Sequence, residues 1–175
     1  GRWRVTLAPE KAAIVPAELV ATGANTVVVR DVLVGDVWLC SGQSNMAMMV
    51  RSSADADREI AAAHFPLIRH FKVPSVVAER PAADVAGAWA VCSPTTVGTF
   101  SAAAYYFARD LHQKSGVPIG LVNSSWGGTQ IEAWMSEAAL RADRAGAEVY
   151  ARWDARLAEH PAKVTEHAEA LAKWE

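Results

Sequence analysis

Two stretches of this chain put reactive or backbone-exposing residues at the end of a buried strand. The first is Val32–Met46, reading V-L-V-G-D-V-W-L-C-S-G-Q-S-N-M. An apolar, β-branched run reaches Leu39, breaks at Ser41-Gly42 and places Ser44 where a helix begins. The second is Val117–Asn123, a buried strand followed by Ser124-Ser125-Trp126-Gly127-Gly128-Thr129 and a helix beginning near Gln130. A strand that ends in a glycine-containing turn delivers the next residues to the carboxyl edge of a sheet, where open α/β sheets bind ligands. A serine among the free N–H groups at a helix start suits a nucleophile whose reaction passes through an oxyanion. Ser44 is therefore the candidate nucleophile, with its own N–H and one from Gly127 or Gly128 as candidate oxyanion donors. Each residue also has a plainer reading. Ser44 suits a helix N-cap, Ser41 a turn, and the two glycines a turn that needs positive φ.

The elements that must position these residues follow from periodicity. Trp3–Leu7 alternates as a half-buried strand, Ile14–Val20 contains Pro16 and so suits an edge strand, and Thr26–Arg30 reads as another strand. The central strand is expected over Val32–Leu39, a surface helix over Asp55–Ala63, and a second α/β strand over Leu67–Val73. After an extended excursion with a short strand at Ala88–Cys92, Ala102–Lys114 has helical spacing on one face, and Gly116 is placed to stop it. From Ser136 the chain is Ala-rich and charged. It reads as a helical hairpin that breaks at His160-Pro161 and packs outside as an insertion. The fold class is thus α/β. Residues 1–31 are expected to end a preceding β-rich domain, 32–135 to open the α/β domain, and 136–175 to form the helical insertion.

Bulk properties narrow the function classes. The 175 residues carry 51% hydrophobic and 21% charged residues, a globular balance. A formal net charge of −2, without a basic block, gives no footprint for nucleic acid. No apolar run approaches the ~20 residues of a membrane helix. Cys40 and Cys92 fit no metal spacing. Cys40 reads as a small core residue, with a disulfide to Cys92 left open. No signal-peptide pattern opens the chain, and both ends look cut from something longer.

The string D-V-W-L-C-S-G-Q-S-N-M, with the later G-L-V-N-S-S-W-G-G-T-Q-I-E-A-W-M-S, resembles the sialate O-acetylesterases among the SGNH (GDSL-like) hydrolases. The likeness extends to F-S-A-A-A-Y-Y-F-A-R-D-L-H and to the Ala-rich segment after Trp134. It implies a flavodoxin-like, three-layer α/β/α fold with a parallel sheet, incomplete here. It also implies removal of O-acetyl groups from sugars through an acyl-enzyme on Ser44. Ser44, Gly127 and Gly128 would line the oxyanion hole, and Gln43, Asn45, Trp126 and Thr129 would touch substrate. No metal or other cofactor is implied. An acetylated sugar or glycan is the expected partner, with neither nucleic acid nor membrane, and a secreted or periplasmic location follows from the resemblance. Trp126 and Trp134 suit a sugar groove as well as they suit a core. Acetylated xylan is the alternative substrate, and a non-catalytic carbohydrate-binding or assembly fragment the alternative class.

The resemblance also implies parts this chain lacks. The family uses a Gln-Gly-Glu segment, whose Gln helps bind the oxyanion, and a later Asp-x-x-His pair that supplies the base. None of Gln43, Gln113 and Gln130 precedes Gly-Glu. The residues three before His64, His70, His112, His160 and His167 are Ala61, Leu67, Arg109, Leu157 and Val164. Each histidine reads instead as a surface or core-edge residue. The expectation is a chain that carries the nucleophile half of the site and is inactive without the C-terminal half of its domain.

Overall fold

A computed structural model describes residues 4–78 and 81–174. By contact density the chain divides into two compact units, Gly1–Gly128 and Thr129–Glu175. The first opens with an antiparallel hairpin of β1 (Ala13–Thr22) and β2 (Thr26–Val34), closed in register at Thr22 and Thr26. Pro16 lies in a strand with a free edge, where its missing N–H costs no ladder bond. Arg4–Leu7 forms no strand, contrary to the alternation, and Trp3 lies outside the described residues. Val5 and Leu7 are exposed there; alternation predicts a strand only where one face is buried, and here neither is.

The expected strand over Val32–Leu39 is two strands. β2 ends at Val34, and β3 (Asp36–Gly42) begins a separate sheet after Gly35. The reason is steric: a Cβ on Gly35 would stand 2.1 Å from the Pro118 carbonyl oxygen, so the chain can turn there only with glycine. The sheet also contains β4 (Phe65–Lys72), β5 (Trp89–Cys92) and β6 (Ile119–Ser125), in the order β3-β6-β4-β5. β6 runs parallel to both β3 and β4, while β5 returns antiparallel.

Between β3 and β4 lie α1 (Ser44–Ala47), a 3₁₀ turn and α2 (Ala56–Ala62). Between β5 and β6 lies α3 (Ala102–Ser115). Ser101 caps α3 by accepting from the Ala104 N–H, and Gly116 ends it at φ 70°. The buried side of α3 supplies Ala104, Tyr105 and Ala108 to a core shared with Ile68, Ile119, Leu121, Cys40 and Cys92. On the opposite face of the sheet, Val37 and Leu39 are 66% and 71% exposed. The fold is α/β with parallel strands and helices, in accord with the flavodoxin-like expectation.

The second unit holds a 3₁₀ turn at Ile131–Trp134, where an α-helix was expected, then α4 (Glu137–Ala142) and α5 (Arg144–Trp174). Pro161 does not break α5, contrary to the sequence reading. Proline removes its own helical hydrogen bond and costs ~3 kcal/mol, which favours a break but does not force one when the surrounding turns are otherwise helix-forming. The hairpin turns instead at Asp143, whose carboxylate accepts from the N–H groups of Ala145 at 2.8 Å and Gly146 at 3.1 Å. Among the described residues no helix is long and apolar enough to cross a membrane.

Candidate active site

β3 and β6 lie side by side, and their registers bring Gly42 opposite Ser125 at the carboxyl edge. The two loops singled out in the sequence therefore leave the sheet together. Gly42 turns the chain at φ 140°, and Ser44 opens α1 two residues later. In the other loop the Trp126 N–H donates to the Gly42 carbonyl at 3.0 Å. Gly127 then passes directly over the serine: a Cβ there would lie 3.5 Å from Ser44 Cα and 3.6 Å from Ser44 Cβ. Gly128 follows at φ 80°, a conformation that favours glycine, with open space where its side chain would be.

Ser44, Gln43 and Asn45 are exposed, and so are Trp126, Gly127 and Gly128. The Ser44 hydroxyl donates to Gln43 Oε1 over a long 3.3 Å. Among the described residues no histidine or carboxylate is hydrogen-bonded to it. The first N–H groups of α1 have no partner within the helix, as at any helix start. Thr129 belongs to the second unit, where its Oγ1 accepts from Trp134 Nε1 at 2.8 Å.

The histidines serve other purposes. His112 Nδ1 meets the Val117 carbonyl at 2.8 Å and holds the end of α3 to the start of β6. His64, His160 and His167 are exposed. His70 is buried in β4 and stacked on Phe100 at 4.4 Å. Burial, reinforced by the nearby Lys72 charge, pushes its pKa down to about 4, so the ring is neutral at physiological pH. The thiols are free and buried; burial raises Cys40, and raises Cys92 to about 11, which leaves neither as a thiolate nucleophile.

A polar network beneath the loops was not anticipated. Lys72 Nζ donates to the Ser125 carbonyl at 2.7 Å, to Ser125 Oγ at 3.1 Å and to Asn123 Oδ1 at 3.5 Å. Ser125 Oγ donates to the same Asn123 oxygen at 2.6 Å, which turns the Asn123 Nδ2 donor toward His70 Nε2 at 3.3 Å. The ring must then accept at Nε2 and carry its proton on Nδ1. The signal for this group was available: His70 with Lys72, and Asn123 with Ser125, are two apart on neighbouring strands and so share one face.

A cavity of about 410 Å³ opens elsewhere, at the amino ends of the strands, between Val29–Leu33 of the hairpin and Val37, Arg69, Trp89 and Gly120. It does not reach Ser44. Arg69 enters it while bound to Asp31, whose φ is 60°, and Arg69 Nε is buried without a partner. Among the described residues no three His, Cys, Asp or Glu side chains cluster as metal ligands.

A mixed sheet with a serine turn and a glycine turn adjoining at the carboxyl ends of its parallel strands β3 and β6 defines an α/β protein of the class that keeps its ligand site there. The chain belongs to the carbohydrate esterase, sialic acid-specific acetylesterase family, which matches residues 34–165. It is 40% identical to the sialate O-acetylesterase of Rattus norvegicus over 153 residues, which is 80% of this chain and 28% of that protein. It is 41% identical over 126 residues to the Homo sapiens sialate O-acetylesterase, covering 67% of this chain and 24% of the human protein. A crystal structure of a carbohydrate acetylesterase from Xanthomonas citri superposes with a TM-score of 0.77 at 42% identity, over 82% of this chain and 33% of that one. The chain thus spans about a quarter of the length of the curated relatives it matches.

Proposed function

We propose that this chain is the nucleophile-bearing part of a serine esterase that removes O-acetyl groups from sugars. The observation that carries the reading is the approach of Gly127 to Ser44 in a member of this esterase family. Ser44 Oγ attacks the acetyl carbonyl carbon, and the carbonyl oxygen takes the negative charge beside the N–H groups of Ser44 and of Gly127 or Gly128. Collapse expels the sugar oxygen, which leaves with a proton as the sugar hydroxyl, and acetyl stays on Ser44. Water then releases acetate and restores the serine. Neither step calls for a metal. Gln43 and Asn45 flank the serine in the chain, Trp126 precedes the glycine that lies over it, and all three are exposed and would meet the sugar.

The base that takes the Ser44 proton would be a histidine outside this chain. Support comes from the serine's side-chain partner, the Gln43 amide oxygen, which cannot act as a base. Among the described residues β3 is an edge strand, and Leu39 on its uncovered face is exposed, as expected of a strand that the rest of a domain completes. The curated relatives are named for sialate esters, which makes an O-acetylated sialic acid the first substrate to try. The broader name of the Xanthomonas protein supports acetylated polysaccharides such as xylan as the second.

In the full-length protein, Ser44→Ala is expected to lower acetyl-ester turnover by ~10⁴-fold or more, as loss of a serine nucleophile does elsewhere. Retention of full activity would sink the nucleophile assignment. The isolated chain should label with a fluorophosphonate only slowly. Rapid stoichiometric labelling of Ser44 there would show that the external base is not required.

A further inference from the structure

We infer that Lys72 is a positioning residue that sets the glycine loop over Ser44 by gripping the Ser125–Trp126 peptide bond. The inference rests on the esterase reading above and adds to it a group outside the family motifs.

The peptide between Ser125 and Trp126 is held at both of its polar atoms. Its carbonyl accepts from Lys72 Nζ at 2.7 Å, and its N–H donates to the Gly42 carbonyl at 3.0 Å. Because a peptide unit is planar, fixing both atoms fixes the plane. One anchor belongs to β4; the other belongs to the turn that carries Ser44. The plane therefore sets the direction in which the chain enters Gly127, and Gly127 is the residue that passes over Ser44.

Lys72 is suited to this hold and to little else that is visible. It forms no ion pair among the described residues, and its hydrogen bonds there end on Asn123 and Ser125. A cationic donor to a carbonyl is roughly twice as strong as a neutral one. The Ser125 hydroxyl and Asn123 Oδ1 add only longer contacts to the ammonium, at 3.1 and 3.5 Å, and Asn123 Oδ1 in turn accepts from Ser125 Oγ at 2.6 Å while its amide nitrogen meets the buried His70. Loss of the ammonium frees the carbonyl side of the peptide, and a donor aimed at an oxyanion then loses its fixed direction. Such direction matters more in the transition state than in the ground state, so the effect belongs in kcat.

The test compares Lys72→Met and Lys72→Arg in the full-length protein, with p-nitrophenyl acetate as the probe. Lys72→Met is expected to lower kcat by ~10–100-fold with KM within about twofold, short of the ~10²–10³ that deleting an oxyanion donor costs. Lys72→Arg, which keeps a cationic donor, should recover kcat to within about fivefold of the unmodified enzyme. Ser125→Ala keeps the carbonyl and removes only the hydroxyl, and should stay within about threefold. The inference is overturned if Lys72→Met keeps kcat within about threefold, if Arg recovers no more than Met, or if Ser125→Ala matches Lys72→Met. If Lys72→Met does not fold, Lys72→Gln takes its place, with the same loss expected because the shorter amide does not reach the carbonyl. Failure of the esterase reading looks different: Ser44→Ala would then match the unmodified enzyme whatever stands at Lys72.

Discussion

The two ends of the β3–β6 pair treat glycine in opposite ways. At the amino end Gly35 is pressed against backbone, its absent Cβ 2.1 Å from the Pro118 oxygen, and the Asp36 N–H donates to that same oxygen at 3.0 Å. At the carboxyl end Gly127 lies over Ser44, and a Cβ on it would stand 3.5 Å from Ser44 Cα, an ordinary contact distance. One glycine exists because backbone fills the space of a side chain. The other could carry a methyl group in ordinary contact with an exposed serine. The sheet is thus fastened at one end and open at the end where the family's chemistry is expected.

Gly35→Ala is the sharpest way to break this contrast. The methyl group would meet a carbonyl rather than a flexible side chain, so relief requires β3 to move away from Pro118. A loss of ~3 kcal/mol, at the upper part of the overpacking range, is expected in chemical denaturation. A loss under ~1 kcal/mol would mean that the amino end yields as easily as the carboxyl end, and the contrast would fall.

Acid should act on the carboxyl half instead. His70 has its pKa pushed down to about 4 from 6.5, first by burial and then by Lys72. The unfolded chain therefore binds the proton more readily than the folded one between those two values. Stability is fully present above about pH 6.5 and falls as the pH drops toward 4. The change at stake is on the order of 2 kcal/mol, allowing for relaxation around a partly accessible ring. Protonation would also set an imidazolium N–H against the Asn123 amide donor, so loosening should begin at His70–Lys72 and Asn123–Ser125. Amide exchange at pH 4.5 compared with pH 7 should show it there and spare Gly35–Val37. Uniform loosening along the strands would remove His70 as its source, and His70→Asn should flatten the pH dependence.

The same contrast separates what the sequence could and could not disclose. Ser44 and Gly127 were legible because each loop follows a β-branched run, and strand–turn punctuation is local chemistry. Gly35 was just as visible, an isolated glycine inside V-L-V-G-D-V-W-L, but its meaning depends on Pro118, far along the chain. Reading through it merged β2 and β3 into one strand. The Lys72 network fails for a related reason. Alternation puts its members in pairs on their own strands, but only the β4–β6 register brings the pairs together. At Pro161 a local rule misled, because proline's cost is finite and the turn was fixed by the Asp143 cap instead.

Gly127→Ala sharpens the comparison with the smallest expected change in stability. The glycine is not in the left-handed region and the methyl group would make ordinary contact with Ser44, so the fold can accept it. Replacing glycine where the backbone is compatible stabilises by ~0.4–1 kcal/mol through the unfolded chain, so Tm should hold or rise slightly. Turnover should fall even so, because the methyl group would stand 3.6 Å from Ser44 Cβ, beside the hydroxyl that an acetyl group has to approach. A stable variant with lower kcat/KM would establish that the missing side chain at Gly127 serves a ligand. If stability and turnover both stay unchanged, the space beside Ser44 is only loop slack, and the carboxyl end is open for no chemical reason.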